Sequence, residues 1–420
     1  MSNSEQLDAH ATSIQGGIWA WLVCLSAGLF FFYEFFQLNL FDVINESLRV
    51  DFKISATQIS WMSSTFLWAD VIFLLPAGII LDRFSTRLVI LSAMAVCVLG
   101  TVGFALTNSF AVASFFHSLT GIGNAFCFVS CVVLISRWFP ARRQALVIGC
   151  VITMAFMGGM MAHTPLAYLN AQYGWRQSLL IDGGLGLCIF FWILLVVKDR
   201  PAANQLTHVT VHTPINLLTV LTNRQNWLGG LYTACLNLPI MVLCALWGAC
   251  YLEGVHHLPK IQASNTISLI LVGSIIGCPL VGWFSDRCGL RKPVMVIGAV
   301  ATLIIVIPLC LDIVLSPLVL SGLFLALGFF TSSQVTAYPL IAESNLPSNT
   351  GAATGIASII IMGGAGVGQL LFGLLMQNHA NLSVYAAGDF KVAMWIFPIS
   401  SLIALIALLF TRETYCMGLK

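Results

Sequence analysis

Five ionisable side chains stand inside segments that are otherwise apolar. They are Glu34, Asp70, His117, His163 and Asp182, all in the first half of the chain. Placing an ionisable group in apolar surroundings is costly. Each of these residues therefore indicates either a functional site or a specific bonded partner.

Glu34 lies among aromatic rings in FFFYEFFQLN, Phe30 to Asn39. Gln37 follows three residues later and would share the same helix face. A carboxyl group in that setting can gain and lose a proton, which predicts a proton-binding site at Glu34. The alternative is a permanently protonated glutamate that bonds to a neighbouring helix.

The other four residues leave more than one interpretation open. Asp70, in LWADVIFLLPAG, can be a second proton site, the partner of a histidine, or a hydrogen-bonding group between helices. His117 can titrate near physiological pH or be a bonded core group. The sequence favours a structural role for His163 over a substrate contact, and an interfacial position at a helix start for Asp182.

The composition indicates which solvent surrounds these residues. Of the 420 residues, 59% are hydrophobic and 8% are charged, whereas a soluble domain carries about 25% charged residues. Apolar runs of roughly 20 residues recur, which is the length that crosses a bilayer. The sequence predicts an all-α polytopic membrane protein whose main partner is the lipid bilayer. The net charge of +2 gives no sign of nucleic-acid binding.

The cysteines and loops give no sign of a bound cofactor. The 13 cysteines lie almost wholly in apolar runs and lack zinc-site spacing, so we expect no metal. A nucleotide-binding loop G-x-x-x-x-G-K-[ST] is also missing from the sequence, which excludes ATP as a driver within this chain.

Twelve membrane spans are predicted, and their numbers are kept below. Spans 1 to 6 lie at 17–42, 56–80, 87–107, 110–137, 144–169 and 177–197, and spans 7 to 12 at 226–251, 264–284, 293–313, 317–341, 351–377 and 391–410. The polar stretch 198–225 separates them. This pattern predicts a six-helix bundle at 1–197, a central loop at 198–225 and a second six-helix bundle at 226–420.

Basic residues are unevenly distributed between the two ends of these spans. With the N-terminus in the cytoplasm, 13 of the 18 lysines and arginines fall on the cytoplasmic side. The opposite side, called the outer side below, has Arg49, Lys53, Arg176, Lys260 and Lys391. Because this asymmetry follows the positive-inside rule, we expect both termini and the central loop in the cytoplasm.

The two halves share short motifs at a nearly constant offset. GIILDRFSTR follows span 2 and GWFSDRCGLRK follows span 8, and their acids, Asp82 and Asp286, are 204 residues apart. MGG occurs at Met157 and again at Met362, 205 residues later. The sequence therefore predicts a duplicated six-helix unit.

Twelve spans in two halves, with G-x-x-x-D-R-x-G-x-[RK] after spans 2 and 8, make the whole chain similar to the major facilitator superfamily of secondary transporters. The resemblance implies two pseudo-symmetric six-helix bundles with gating loops on the cytoplasmic side. Ser85 stands where the family usually has glycine. The matching loop residues are Gly78, Asp82, Arg83 and Arg87 in the first loop, and Gly282, Asp286, Arg287, Gly289 and Arg291 in the second.

These loop residues also have a physical interpretation. Glycine allows close approach or a positive φ angle in a short turn. An acid can cap a neighbouring helix or pair with an arginine. We expect contacts of this kind to form when the cytoplasmic ends of the halves meet.

Family motifs in spans 4 and 5 bear on the coupling ion. Many members carry R-x-x-x-G-x-G in span 4; here Gly121 and Gly123 match, and His117 replaces the arginine. The change exchanges a fixed charge for a titratable one. In span 5, Gly159 stands where drug exporters have proline, which makes drug export the less favoured interpretation.

Uncharged polar residues in the second half predict a substrate cavity. Pro239 interrupts span 7 and can free backbone carbonyls, while Gln334 and Tyr338 are one turn apart in span 10. The resemblance implies binding near the midplane between the halves. The predicted substrate contacts are Gln37, Asn124, His163, Asn237, Trp247, Gln334 and Tyr338.

The leading functional hypothesis is a proton-coupled symporter of a bacterial inner membrane, working as a monomer by alternating access. Glu34, Asp70 and His117 would carry the proton. Because no lysine or arginine is predicted deep in a span, a cationic, zwitterionic or neutral metabolite fits better than a strong anion. We expect an amino acid, peptide or nucleoside; AYPLIAESNLP in span 10 weakly resembles phagosomal-transporter-like carriers.

Two other classes compete with this hypothesis. One is a proton antiporter that exports a drug-like or siderophore-like compound. The other is a sensor or an enzyme built on the same fold, which would need an extra domain or a nucleophile and a base. The sequence shows neither, so we expect no enzymatic activity.

Overall fold

A computed structural model describes residues 17–139, 141–199, 217–311, 313–346, 350–376 and 387–416. Within these ranges every regular element is a helix, which confirms the predicted all-α class. Large apolar side chains cover the outside of the helices; Leu195, Leu318 and Leu409 are 77%, 84% and 74% exposed. Such surfaces belong in hydrocarbon, and the chain is an integral, multi-pass membrane protein.

The helices of the first half are long and those of the second half are broken into shorter pieces. The described helices of the first half are Ile18–Phe52, Ala56–Arg83, Thr86–Leu106, Phe110–Trp138, Ala141–Met161 and Thr164–Val196. Those of the second half are Leu217–Thr222, Arg224–Pro239, Gly248–His256, Lys260–Cys288, Lys292–Cys310, Pro317–Thr331, Ala337–Glu343, Thr350–Leu375, Ala387–Ala393 and Ile396–Phe410. Between them, Ile240–Trp247 is a π-helix and Ser332–Thr336 a 3-10 helix.

Each predicted span falls on a helix, although the boundaries differ. Within the described ranges, ten helical segments are long and apolar enough to cross a membrane. One of them, Val147–Val196, is 50 residues long and covers most of predicted spans 5 and 6, whereas Ala56–Arg83, at predicted span 2, is not among the ten. Gly174 interrupts the long segment with a φ of 76° and a ψ of 166°, a conformation that is essentially restricted to glycine.

Span 1 is longer than predicted. The helix continues past residue 42 to Phe52, so the predicted end was wrong. Asn45 and Arg49 lie in this extension and are buried, because these polar side chains face neighbouring helices and not water. Arg49 therefore belongs to the last turn of a helix, where the sequence placed a loop.

The chain divides into two compact units whose limits differ from the predicted halves. The first contains the described parts of Met1–Leu38, Ala69–Gly159 and Arg176–His212, and the second contains Asn39–Trp68, Met160–Trp175 and the described parts of Thr213–Lys420. The second unit thus combines outer-side segments of the first half with spans of the second half. The predicted boundary at 198–225 stays a prediction, and residues 200–216 lie outside the described part of the chain.

Glycines allow two helices of the second unit to pack backbone to backbone. A methyl group on Gly328 in span 10 would lie 1.8 Å from the carbonyl oxygen of Ile270 in span 8. A methyl group on Gly273 would lie 2.1 Å from the carbonyl oxygen of Leu325. Small residues at such crossings are typical of membrane helices.

We predict that Gly328→Ala lowers the free energy of unfolding by about 1 kcal/mol or more, because the backbones must separate to admit the methyl group. Thermal unfolding of the purified protein in detergent measures the effect. Gly322→Ala is the matched control, since Gly322 lies in the same helix and has open space around it. Equal melting temperatures for the two variants would contradict this account of the packing.

Candidate functional site: buried carboxyl groups in the first unit

Glu34 is fully buried in the first compact unit. Neither of its carboxyl oxygens has a well-aligned hydrogen-bond donor among the described residues, and the weakly donating Cys97 thiol lies within hydrogen-bonding reach. Gly123 of span 4 makes room for the side chain: a methyl group there would lie 2.6 Å from Glu34 Oε1 and 3.2 Å from Cys97 Cβ. The glycine that matches the family motif therefore leaves the space that this carboxyl group occupies.

Asp182 belongs to the same buried group, although the sequence favoured an interfacial position. Gln37 Nε2 donates a hydrogen bond to Asp182 Oδ2 at 2.5 Å. The Tyr33 hydroxyl lies 3.4 Å from the backbone oxygen of Asp182. Gln37 and Asp182 are 145 residues apart, so no local pattern could reveal the pair. Gly174, eight residues before Asp182, was the available signal that the helix begins earlier.

Asp70 of span 2 is the third buried carboxyl group. Asn124 of span 4 lies within hydrogen-bonding reach of it, directly after the glycine that faces Glu34. Both Asp70 and Asp182 are close enough to Glu34 to interact with it electrostatically. Among the described residues, no lysine, arginine or histidine forms an ion pair with any of the three.

His117 is buried beside other partners. Its ring lies 5.9 Å from the ring of Phe104, and its Nδ1 lies 3.4 Å from Thr120 Oγ1. These contacts fit the bonded core group that the sequence left open. Its role in proton coupling stays a prediction.

The second unit brings two of the predicted substrate contacts together. Gln334 Nε2 donates to Asn237 Oδ1 at 3.2 Å, linking spans 10 and 7. Asn237 lies two residues before the end of the helix Arg224–Pro239, which the π-helix follows, and Gln334 lies in the 3-10 segment. Tyr338 follows one turn later and is half-buried. Irregular helical turns of this kind are frequent at functional sites.

Two other predicted substrate contacts of this unit lie in closely packed surroundings. Trp247 is fully buried, with its ring 5.7 Å from that of Phe372 and 6.5 Å from that of Phe390. His163 is fully buried, with its Nδ1 3.5 Å from Asp42 Oδ2. Substrate binding by these two residues stays a prediction.

The two cytoplasmic loops turn by different means. Gly289 has a φ of 66°, which explains why glycine is needed there. Ser85, at the corresponding position, has a φ of −59° and instead caps the next helix by accepting a hydrogen bond from Leu88 N. Methyl groups on Gly78 and Gly282 would meet nothing within 4 Å, so close approach does not explain these two glycines. The side chains of Asp82 and Arg83 lie outside the described part of the structure.

The remaining charged loop residues have specific contacts. Arg291 donates to Asp286 Oδ1 at 2.6 Å and to Glu343 Oε1 at 2.8 Å. Arg87 Nη2 donates to the backbone oxygen of Leu194 at 2.6 Å. The Arg287 guanidinium lies 5.3 Å from the ring of Trp283.

Two acids that the sequence analysis missed each bond to a backbone N–H at the start of the helix that follows one of these loops. Asp199, three residues after the helix Thr164–Val196, accepts a hydrogen bond from Arg87 N at 2.8 Å. Glu413, three residues after span 12, accepts one from Arg291 N at 2.9 Å. Partial burial acts to raise the pKa of Glu413, but backbone N–H donors from residues that include Arg291 and Lys292 outweigh it, so its pKa lies below the ordinary value. The internal repeat thus extends to helix-capping acids.

Comparisons with known proteins agree with this architecture. Residues 23–270 and 231–415 match the model of the Major Facilitator Superfamily, and the chain belongs to this family of membrane transport proteins. A gallate transporter of Pseudomonas putida is 24% identical over 388 residues, covering 85% of this chain and 86% of that protein. The membrane sensor protein UhpC of Salmonella typhimurium is 22% identical over 381 residues, with 85% and 86% covered.

Solved structures show the same fold. The crystal structure of a bacterial homologue of the human lysosomal transporter Spinster matches with a TM-score of 0.76 and 15% identity. The match covers 94% of this chain and 97% of that one. The protein therefore has the fold of this superfamily.

We predict that the infrared spectrum of the purified protein at neutral pH contains a protonated-carboxyl C=O band that Glu34→Gln removes, because this site offers an anion no partner. Gly123→Ala should shift the band, since the new methyl group would displace Oε1. Gly149→Ala, where a methyl group meets nothing within 4 Å, is the matched control and should leave the band unchanged. An unchanged band in Glu34→Gln would contradict the assignment.

Proposed function

We propose that the protein is a proton-coupled secondary transporter that imports a small polar metabolite by alternating access. The observation that carries the proposal is the position of Glu34, which is fully buried and has no amide, hydroxyl or basic side chain bonded to its carboxyl group among the described residues, with the Cys97 thiol within reach. A carboxylate there would cost several kcal/mol, so the neutral form fits this environment. Release of the proton then requires water to reach Glu34, which couples protonation to a conformational change.

Glu34 is a better coupling site than the other two acids because of what surrounds each one. Gln37 donates to Asp182, and Asn124 lies within reach of Asp70, so those carboxyl groups have amide partners. Glu34 lies against the open side of Gly123, with the Cys97 thiol within hydrogen-bonding reach. We therefore assign the transported proton to Glu34 and a supporting role to Asp70.

The proposed substrate contacts are Asn237, Gln334 and Tyr338. Their amide and phenol groups donate and accept hydrogen bonds without carrying charge. Such groups favour a neutral or zwitterionic metabolite over a strong anion. The relative named a gallate transporter adds small carboxylic acids as a second class of substrate. A carboxylate that enters together with one proton moves no net charge.

The proposed orientation places both termini in the cytoplasm of a bacterial inner membrane. The support is the excess of basic residues on one side of the spans. The capped loops at Asp199 and Glu413 then lie on the cytoplasmic side, where the coupled movement would open and close them.

Proteoliposomes loaded with the purified protein test the proposal. We expect an inward proton gradient to drive accumulation of at least one member of a panel of amino acids, nucleosides, small peptides and aromatic acids, detected by mass spectrometry. Glu34→Gln should abolish this accumulation, because the amide cannot carry a proton. Exchange of labelled for unlabelled substrate should persist, because it needs no net proton movement.

Glu34→Asp is the matched control, since it keeps the carboxyl group and should retain part of the gradient-driven accumulation. Full accumulation by Glu34→Gln would contradict the role of this residue. Substrate efflux driven by the same gradient would favour the antiporter. Binding without exchange would favour a sensor such as the relative named UhpC.

A further inference from the structure

The helix of span 7 changes from π to α geometry on the outer side, and neighbouring side chains bond to its backbone there. The π-helix Ile240–Trp247 gives way to the helix Gly248–His256. Asn45 Nδ2 donates to the Leu246 oxygen at 2.8 Å, and Gln369 Nε2 donates to the Met241 oxygen at 2.8 Å. Spans 1 and 11 therefore hold this change of geometry in place.

Asp42 completes this arrangement by capping the helix Gly248–His256. Its Oδ1 accepts a hydrogen bond from Ala249 N at 2.8 Å, at the N-terminal end of Gly248–His256. A carboxylate is the preferred ligand of such a helix end. Asp42 and Asn45 are one turn apart on span 1, so one face of that helix satisfies both a free N–H and a free C=O of span 7.

The second oxygen of Asp42 faces a histidine. His163 Nδ1 lies 3.5 Å from Asp42 Oδ2, and both side chains are fully buried. His163 Nε2 has no partner among the described residues. The histidine sits at the turn between the helices Ala141–Met161 and Thr164–Val196, where span 5 is itself interrupted.

These contacts lie on the predicted outer side and within one compact unit. Asp42 is eight residues after Glu34, or about 12 Å further along span 1. The unit joins the outer-side segments Asn39–Trp68 and Met160–Trp175 to the second half. Elsewhere in it, Ser63 donates to Gln369 at 3.0 Å and Thr164 donates to Asn265 at 2.5 Å. The outer ends of spans from both halves are thus held together in this structure.

We propose that Asp42 and His163 form a proton-sensitive latch that holds the outer side closed. The inference rests on the proposed alternating access and gives His163 a positioning role in place of substrate contact. With one proton, the pair is neutral overall and Asp42 can cap span 7. Without that proton, the pair would carry an unpaired buried negative charge, so the closed arrangement becomes unfavourable.

The sign of the pH dependence follows from this difference. The closed pair keeps one proton, whereas in the open arrangement water reaches the pair, the aspartate is an anion, and near neutral pH the pair binds less than one proton. By linkage, acidification therefore shifts the population towards the closed arrangement. An acidic outer side would close the latch over the outer ends of the spans.

Other titratable groups surround the pair and must be separated from it. Cys244, Cys250 and Glu253 of span 7 interact electrostatically with Asp42. Glu46 of span 1 pairs with Lys260 of span 8 at 3.6 Å, close to Glu253. The variants below leave these groups unchanged, apart from one control.

Hydrogen exchange of the protein in nanodiscs tests the latch without substrate or a proton gradient. In the wild type, peptides covering Ile240–His256 should exchange faster at about pH 7.5 than at about pH 5.5, after correction for intrinsic rates, because the closed pair depends on its one proton. Asp42→Asn keeps a capping side chain, and His163→Gln keeps a polar contact. In each variant an amide replaces one of the two titratable groups, so the pair can no longer share a proton. Both variants should lose the pH difference. Asp42→Ala also removes the cap and should exchange about fivefold faster at both pH values.

Two variants serve as matched controls. Glu253→Gln removes the neighbouring acid, and His257→Asn removes an exposed histidine just beyond the helix; both should keep the pH difference. Equal exchange at the two pH values in the wild type would overturn the proposal, as would a pH difference that survives in His163→Gln. Neither result would affect the assignment of the coupling proton to Glu34, which rests on accumulation.

Discussion

A carboxyl group without a counter-charge can occupy an apolar interior only in its neutral form, because burying the anion costs several kcal/mol. Glu34 meets this condition in the first unit, where Gly123 leaves just enough room for it. Asp70 and Asp182 differ from Glu34 because each has an amide side chain within hydrogen-bonding reach. The state of the proton on Glu34 and the access of water to it are therefore linked, and this link is what a coupled transporter requires.

In the second unit, the polar groups that need partners inside the membrane belong to the backbone. Broken helices expose carbonyl and amide groups that a membrane protein must satisfy internally. Asn45, Asp42 and Gln369 satisfy three of these groups along span 7. Because these three side chains bond to backbone, their polar groups are occupied by span 7.

The sequence predicted the all-α membrane class, the family and the buried position of Glu34, because hydropathy and repeated motifs are local signals. It misplaced the end of span 1, since the polar residues Asn45 and Arg49 were taken as a loop. Asp42 escaped notice because it stood at the last residue of the predicted span. The pairs Gln37–Asp182 and Asp42–His163 depend on packing between distant segments, which a single sequence does not encode in any short pattern. Ser85 was recognised as a departure, but only its φ angle and its cap explain why glycine is not needed there.

The most direct test of coupling is proton movement driven by substrate alone. Proteoliposomes with equal pH on both sides, a pH-sensitive dye inside and a transported substrate added outside would report it. A symporter that carries its proton on Glu34 should acidify the interior as substrate enters, and the acidification should stop when an ionophore collapses the proton gradient. Substrate entry without any change of internal pH would contradict the account.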